Sequence, residues 1–382
     1  MATDAPIDLK NLSRPELEQL LVSGGKARFR AEQVFRWIHE QDVSTFDEMT
    51  NLAKSTREEL KRTATITRLA PISEERAEDG TTKYLFELKD GARVEAVWIP
   101  GVDESELAAD NESPAPPVER ALATETYRVT LCISTQAGCA MGCTFCHTGT
   151  MKLARNLETS EIVEQVLAVQ RLHPERRITN LVYMGMGEPL HNYDNVLRSL
   201  KILLDPFGMK FSHKRVTVST VGLIPEMEAL SKEVAVNLAV SLHAATNELR
   251  DTIAPINRKY PLEELIAAVR RYPMPRKKVV MFEYVVLGGV NDRPEDVDAL
   301  ENLLAGLPCK INLIPFNEWP GSIYKRPDPV KLAKFRDDLI ARGFFAFVRQ
   351  TRGRKILAAC GQLATETRRT PRGANALPVV AT

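Results

Sequence analysis

Three cysteines lie close together in one short stretch of the chain, where residues 138–146 read Gly-Cys-Ala-Met-Gly-Cys-Thr-Phe-Cys. Cys139, Cys143 and Cys146 follow a C-x3-C-x2-C spacing, and cysteine thiolates are the usual protein ligands of iron–sulfur clusters. Three ligands leave one iron of a 4Fe-4S cubane open, and S-adenosylmethionine (SAM) chelates such an iron through its amino and carboxylate groups. The spacing therefore predicts a cluster that splits SAM into methionine and a 5′-deoxyadenosyl radical, with placement and shielding supplied by the protein.

A zinc site completed by His147 is the alternative interpretation of the same loop. Structural zinc sites usually pair one C-x2-4-C unit with a distant second pair of ligands. The sequence contains no such second pair, which favours the cluster.

Composition places the chain among ordinary globular proteins. Its 382 residues are 44% hydrophobic and 26% charged, enough for one large domain and a small one. The sequence has no apolar run of 18 residues that would predict a membrane span. The polar N-terminus lacks the apolar segment of a signal peptide. We therefore expect a cytoplasmic protein, in which thiols stay reduced.

The other cysteines argue against one class of protein, and the overall charge limits how nucleic acid could be bound. Cys132, Cys309 and Cys360 are scattered along the chain, which argues against a disulfide framework. The formal net charge is only +1, so binding of nucleic acid would depend on local basic patches.

Residues 1–75 are predicted to form a helical accessory domain. A capping box at Ser13-Arg14-Pro15-Glu16 predicts a helix that ends at Gly24-Gly25. Two further helices are predicted at 29–41 and 56–63 from their apolar and charged patterns. The basic residues of this domain form either a contact surface for nucleic acid or a solvated face, namely Arg28, Arg30, Arg36, Arg57, Lys61 and Arg62.

Residues 76–126 are predicted to extend this domain with a β-hairpin and a loop. Strands at 81–88 and 92–99 flank the turn Lys89-Asp90-Gly91. The stretch 101–125 is rich in Asp, Glu, Ala and Pro, which predicts a flexible surface loop.

Residues 127–363 alternate between strand and helix patterns, and 364–382 are predicted to be a disordered tail. Repeated βα units imply parallel strands with helices outside, and six units fit a partial α/β barrel. A further helix at 328–343 and a short strand at 344–348 follow. The six predicted strands are 127–134, 179–184, 214–220, 235–242, 278–287 and 310–316.

Alternation along these strands predicts which side chains face the barrel interior. Ser219 and Ser241 lie on the polar faces of their strands, opposite valine and leucine. The segment after the second strand contains Gly187-Glu188, where glycine permits close backbone approach to a ligand and Glu188 can accept from an ammonium group. α/β barrels build active sites at these strand ends, directly beside the cysteine loop.

Four separated segments resemble the RlmN/Cfr family of radical-SAM enzymes, the adenine-C2 methyltransferases of rRNA and tRNA. They are residues 132–146, Met-Gly-Met-Gly-Glu-Pro at 184–189, Ser-Leu-His-Ala at 241–244 and Ala-Ala-Cys-Gly-Gln-Leu at 358–363. The resemblance spans roughly residues 10 to 363, and four motifs in the same order are highly specific. It implies the radical-SAM partial (βα)6 barrel with a small N-terminal helical domain and a β-hairpin extension.

The resemblance also implies cofactors and their ligands. A 4Fe-4S cluster is expected on Cys139, Cys143 and Cys146, and two SAM molecules are expected per turnover. SAM contacts are expected from Gly187, Glu188, Ser219, Ser241, Leu242, His243 and Asn317. The implied partners are 23S rRNA, tRNA and an electron donor such as flavodoxin or ferredoxin, and we expect a monomer.

Three further residues receive roles from the resemblance. Cys360 is expected to carry the methyl group, Cys132 to resolve the RNA adduct and Glu95 to act as base. By sequence alone, both cysteines are equally compatible with buried, inert thiols. Glu95 shares its strand face with Val97 and Ile99, so partial burial would raise its pKa, although an exposed carboxylate at a sheet edge is the alternative.

The substrate must present one adenine edge inside a barrel, so the base has to be splayed from its stack. Three basic stretches are predicted to contact RNA phosphates, and each of them could equally be a solvated face. They are Lys210 with His213, Lys214 and Arg215, the 270–278 region, and Arg349 with Arg352, Arg354 and Lys355.

Two departures from the family pattern are visible, and two alternatives stay open. The 101–125 loop looks longer than the family's usual connection, and Arg354, Lys355 and Leu357 replace residues that are often acidic in relatives. The sister activity, methylation of adenine C8, would use the same thiol pair. A zinc-stabilised RNA-binding module without catalysis is the alternative from another class.

Overall fold

The computed structural model describes residues 6–101, 128–274 and 279–365. Most of the acidic loop predicted at 101–125, part of the basic 270–278 region and nearly all of the predicted tail lie outside the described residues. In the part of the chain that the structure describes, no helix has the length and apolarity needed to cross a membrane.

The N-terminal region is helical, as predicted. It contains α1 (Arg14–Ser23), α2 (Phe29–His39) and α3 (Lys54–Thr63). The predicted capping box is present, because the backbone N–H and the hydroxyl of Ser13 donate to Glu16 at 2.8 and 2.6 Å. The apolar faces of α1 and α2 are buried, which joins these helices into one small core.

A buried charge cluster attaches this helical region to the rest of the protein. Lys10 is fully buried and pairs with Glu164, which is also buried. Arg171 donates to Glu164 at 2.9 Å and to Asp42 at 2.8 Å. Since buried charges are retained only when they are paired, these contacts fix the helical region against the helix that carries Glu164 and Arg171.

One sheet of ten strands forms the centre of the molecule. In sheet order from one edge, β10, β9, β8, β7, β6, β5 and β4 are parallel, and β3, β2 and β1 continue from β4 as antiparallel neighbours. The strands are β1 (Pro71–Arg76), β2 (Thr82–Glu87), β3 (Arg93–Pro100), β4 (Val129–Cys132), β5 (Asn180–Tyr183), β6 (Val216–Thr220), β7 (Asn237–Ser241), β8 (Val280–Val286), β9 (Cys309–Pro315) and β10 (Phe345–Val348).

The predicted α/β architecture is confirmed. The six predicted strands of the barrel are β4 to β9, the hairpin is β2 and β3, and β10 is the short strand expected at 344–348. Helices alternate with the parallel strands: α4 (His147–Thr150), α5 (Thr159–Leu172), α6 (Tyr193–Leu204), α7 (Ile224–Glu233), α8 (Asn247–Ile253), α9 (Leu262–Arg271), α10 (Pro294–Leu304) and α11 (Pro329–Ala341).

Strand β1 is absent from the sequence prediction. Five of its six residues are exposed, so its sequence lacks the alternation of apolar and polar residues by which strands are recognised. It pairs with β2 at the sheet edge and crosses the domain boundary expected at residue 75. The division of the chain into domains stays a prediction.

Candidate active site

Two adjoining cavities lie at the carboxyl ends of the parallel strands. The larger, which we call the cluster cleft, has a volume of about 820 Å³. Its lining includes Cys139, Cys143, Cys146, Gly187, Glu188, Ser219, Ser241, His243 and Glu283. The smaller, which we call the thiol cavity, has a volume of about 520 Å³ and is lined by Cys132, Asn317 and Arg352, among others. Cys360 and Arg349 line both cavities.

The cysteine loop is held in place by its backbone. Gly138 has a φ of +81°, and a Cβ there would lie 2.3 Å from the carbonyl oxygen of Lys152, so glycine is required. The N–H of Thr144 donates to Ile253 at 3.0 Å, and the N–H of His147 donates to Gly361 at 2.8 Å. The second of these bonds joins the cysteine loop to the residue that follows Cys360.

The three cysteines suit an iron–sulfur cluster better than a single ion. Among the described residues, no three His, Cys, Asp or Glu side chains converge as ligands of one ion do. A zinc ion with Zn–S bonds of about 2.3 Å would hold its thiolates within roughly 4 Å of one another. A cubane distributes its ligands over separate irons, and Cys139, Cys143 and Cys146 all line the cleft in which such a cluster would lie.

His147 does not complete a zinc site in this arrangement. Its ring stacks on Trp319, with centroids 4.6 Å apart and planes 2° apart. Burial raises the pKa of the Cys139 thiol to about 12 and raises those of Cys143 and Cys146 as well. A thiol has to lose its proton to bind a metal, so a cationic group bound by these three cysteines would oppose this effect of burial.

Gly187 and Glu188 both line the cluster cleft. Gly187 has a φ of +99°, and a Cβ there would lie 2.5 Å from the Cβ of Gln136. Glu188 is buried, and its carboxylate accepts from the N–H groups of Val221 at 2.9 Å and Leu190 at 3.0 Å. Burial raises the pKa of Glu188 to about 7. A buried carboxylate that lines a cleft is well placed to bind an ammonium group.

His243 is held as a neutral donor. Its Nδ1 accepts from the N–H of Val285 at 3.1 Å, so the proton lies on Nε2. Burial lowers the pKa of the imidazole to about 3. The ring packs edge-on against Phe145 of the cysteine loop, with centroids 4.6 Å apart. Ser219 and Ser241 line the same cleft, in agreement with the predicted inward faces of their strands.

Two of the predicted SAM contacts lie elsewhere. The Leu242 side chain is fully buried outside the cleft lining, and its backbone N–H donates to Glu283 at 3.0 Å. Asn317 is buried in the thiol cavity, where its Nδ2 donates to the carbonyl of Cys360 at 3.3 Å. The structure therefore gathers Gly187, Glu188, Ser219, Ser241 and His243 in the cluster cleft, and places Asn317 beside Cys360.

The thiol cavity brings together two cysteines that are distant in the sequence. Cys132 is the last residue of β4 and is buried, Cys360 is half-buried, and both are free thiols. Cys360 also lines the cluster cleft, so it lies between the cysteine loop and Cys132.

Glu95 lies next to this cavity within β3 and is not part of either lining. Its carboxylate is buried, lies 3.2 Å from Nζ of Lys83 and accepts from the N–H of Ala364 at 3.1 Å. Burial raises its pKa, and Lys83 opposes that shift. Its strand neighbour Val97 pairs with Cys132, and Ala364 follows Cys360 by four residues. The exposed-edge alternative is excluded by this burial.

Sequence reasoning missed a buried arginine beneath the cleft. Arg250 has no exposed surface. Its guanidinium donates to the carbonyl oxygens of Val221 at 2.7 Å, Ser241 at 3.1 Å and Leu242 at 3.0 Å. These carbonyls follow or end β6 and β7, so Arg250 holds the two segments that carry Ser219 and Ser241. No sequence pattern identifies an arginine on a short helix as having this role.

We expect Arg250→Ala to lower the free energy of unfolding by at least about 3 kcal/mol, because three buried carbonyls lose their donor at about 1–3 kcal/mol each. Chemical denaturation of the variant measures this change. Arg271→Ala removes an exposed ion pair with Glu228 and is the control, with an expected change within about 0.5 kcal/mol. Equal effects of the two substitutions would contradict the positioning role of Arg250.

Comparisons with known proteins agree with this arrangement. Residues 7–66 match the model of the ribosomal RNA large subunit methyltransferase N-terminal domain, and residues 133–302 match the radical SAM superfamily. The dual-specificity RNA methyltransferase RlmN of Geobacter sulfurreducens is 50% identical, over 94% of this chain and 92% of its own length. The RlmN of Pelobacter propionicus is 51% identical, over 93% and 95%.

A solved structure shows the same architecture. A radical SAM methyltransferase from Sphaerobacter thermophilus superposes with a TM-score of 0.81 and 42% sequence identity, covering 94% of this chain and 99% of that chain.

Proposed function

We infer that this chain, which belongs to the RlmN family of dual-specificity RNA methyltransferases, methylates C2 of adenine in rRNA and tRNA through a covalent intermediate on Cys360. It is a radical SAM enzyme, and SAM with a 4Fe-4S cluster are its cofactors. The single observation that carries the proposal is the thiol cavity, where Cys132 and Cys360 meet beside the cluster cleft.

Cys139, Cys143 and Cys146 would hold the cluster, and Glu188, Ser219, Ser241 and His243 would surround SAM. When bound, the cluster supplies an electron that cleaves SAM to a carbon radical, which takes hydrogen from a methyl group. Glu188 would accept from the SAM ammonium group, and the neutral imidazole of His243 would donate from Nε2. Gly187 lets the backbone approach the ligand closely.

The target atom explains why the enzyme needs a thiol carrier. C2 of adenine lies between two ring nitrogens and is electron-poor, so it does not attack a SAM methyl group directly. Cys360 instead takes the methyl group from a first SAM by ordinary displacement, in which its thiolate forms the new S–C bond. Activation of that methyl group on Cys360 would consume a second SAM, which would give two SAM molecules per turnover.

Addition of the activated carbon, which carries an unpaired electron, to C2 would leave the RNA attached to Cys360 and that electron on the adduct. A one-electron carrier of the flavodoxin or ferredoxin kind would take the electron up and leave a closed-shell thioether. Release requires loss of the C2 proton, for which Glu95 is the proposed base because its pKa is raised by burial. The Cys132 thiolate then attacks the Cys360 sulfur: the S–S bond forms, the C–S bond breaks, and the electron pair stays on the carbon, which takes up a proton to become methyl. The resulting Cys132–Cys360 disulfide is reduced before the next turnover.

The RNA must present a base that is splayed from its stack, and adenines in loops meet this need. Lys355 pairs with Glu78 at 3.0 Å and Lys210 pairs with Glu40, so RNA would have to compete with these carboxylates for both lysines. The electron donor, of the flavodoxin or ferredoxin kind, the monomeric state and the cytoplasmic location stay predictions.

The proposed function is tested by product analysis. We expect the anaerobically reconstituted enzyme to convert adenosine to 2-methyladenosine in a 23S rRNA fragment and in tRNA, detected by mass spectrometry of the digested nucleosides. Cys309→Ala, whose thiol lies outside both cavities, is the matched control and should retain the product. Formation of 8-methyladenosine would assign the sister activity, and a product that survives Cys360→Ala would contradict the carrier role.

A further inference from the structure

Arg349 occupies a position that RNA binding does not explain. It directly follows β10, and its backbone N–H donates to Leu313 at the end of β9 at 2.8 Å. Its side chain lines both the cluster cleft and the thiol cavity. Within residues 6–101, 128–274 and 279–365, its guanidinium makes no hydrogen bond or ion pair. A cation in this position faces the cavities with its hydrogen-bonding capacity free.

Arg349 interacts electrostatically with three acidic groups and with a further cation, Arg128. Attraction by Cys360, followed by Glu283 and Cys132, raises the pKa of Arg349. Burial raises the pKa of the Cys132 thiol to about 12, and Arg349 is the cation that opposes this shift. One arginine is therefore shared by the two thiols of the proposed reaction.

Glu283 is a further acidic residue that lines the cluster cleft together with Arg349. It lies in the middle of β8 and is buried. Its Oε2 accepts from Nδ2 of Asn312 at 2.6 Å, while Oε1 has no hydrogen-bond partner in the described part of the chain. The carboxylate thus has one oxygen fixed and the other free, close to the guanidinium.

We propose that Arg349 is the shared counter-cation of Cys360 and Cys132, which stabilises each sulfur as the thiolate before it reacts. The inference rests on the proposed function, in which both thiols act as nucleophiles. Arginine suits this role because it keeps its charge in buried sites, whereas a buried lysine readily loses its proton. Its guanidinium carries several donors, and Arg349 lines the cavity that contains both cysteines.

The size of the effect follows from the thiolate fraction. A cation within about 4–6 Å lowers the pKa of an acid by roughly 1–3 units. Each unit by which the thiol pKa falls raises the thiolate fraction about tenfold. It also lowers the nucleophilicity of the thiolate by about threefold, because the Brønsted coefficient is about 0.4–0.5. Removal of the charge should therefore slow the reactions of Cys360 by about 3-fold to 50-fold.

The test measures this reactivity without RNA or SAM. The reconstituted holoenzyme is treated at one fixed pH with iodoacetamide, a neutral electrophile, and alkylation of Cys360 is followed by peptide mass spectrometry. We expect Arg349→Met to slow alkylation by about 3-fold to 50-fold, and Arg349→Lys to restore only part of the rate, because a buried lysine readily loses its proton. Arg336→Met, at an exposed arginine of α11, is the control and should match the parent chain.

The outcomes separate this inference from the proposed function. If Arg349→Met keeps an intact cluster spectrum and its Cys360 is alkylated at the parent rate, the counter-cation role is overturned. This holds even if the variant no longer methylates RNA, because that loss would then reflect a phosphate contact. If the parent chain forms no methylated RNA, the proposed function fails while the alkylation rates still decide the role of Arg349. Should Arg349→Met lose its cluster, Arg349→Gln is measured in its place with the same expected slowing.

Discussion

The Cys132→Ala variant is expected to accumulate RNA covalently attached to the protein, whereas Cys360→Ala is not. In the first variant Cys360 still receives the methyl group and bonds to the base, but the thiol that breaks the C–S bond is missing. In the second variant there is no carrier, so no bond to RNA forms. The position of both cysteines in one cavity supports this division of roles.

Denaturing gel electrophoresis of an anaerobic reaction with labelled RNA measures the adduct. In Cys132→Ala it should rise to a large fraction of the protein, while the parent chain shows only a transient trace. Digestion and mass spectrometry of the Cys132→Ala adduct should place the nucleotide on the peptide that contains Cys360. The double variant Cys132→Ala/Cys360→Ala should show none.

The matched control is Cys309→Ala. This thiol is also partly buried, and burial raises its pKa to about 11, yet it lies at the start of β9 and lines neither cavity. It should behave like the parent chain. An adduct in Cys360→Ala, or turnover to free methylated RNA in Cys132→Ala, is incompatible with the two-thiol mechanism.

Much of the site was predictable because local rules determine it. The spacing of Cys139, Cys143 and Cys146 needs only one loop, and alternation along β6 and β7 placed Ser219 and Ser241 on the inner face. The capping box at Ser13 involves residues three apart in sequence. Each of these features depends on short-range geometry, which a sequence pattern expresses directly.

The features that sequence reasoning missed depend on long-range contacts. Arg349 was predicted only as a phosphate contact, because no pattern tells which arginine of a basic stretch turns inward. Glu283 carries one usable signal, a lone carboxylate within the apolar strand Val-Met-Phe-Glu-Tyr-Val-Val. Buried charges in such strands are costly unless a partner exists, so this position pointed to a cation elsewhere in the fold. Arg250 has no comparable signal, since its acceptors are backbone carbonyls.

Loss of any one cluster cysteine is expected to remove iron and RNA methylation together. Cys139→Ala, Cys143→Ala and Cys146→Ala each take away a ligand that no neighbouring side chain replaces, because the His147 ring is stacked on Trp319. Mutation of a residue that only hydrogen-bonds to a metal ligand typically lowers the metal affinity by about 10-fold to 100-fold. Loss of the ligand itself should therefore lower the amount of bound iron by at least about tenfold.

Iron and sulfide analysis and the visible thiolate-to-iron absorption after anaerobic reconstitution measure the cluster, and circular dichroism checks the fold. Cys309→Ala should stay brown and active, and Cys360→Ala should stay brown but inactive, which separates the cluster from the methyl carrier. If the parent chain is instead colourless and binds zinc, and if His147→Ala loses that affinity for zinc, the zinc-stabilised module is established. The stacking of His147 on Trp319 argues for the brown protein.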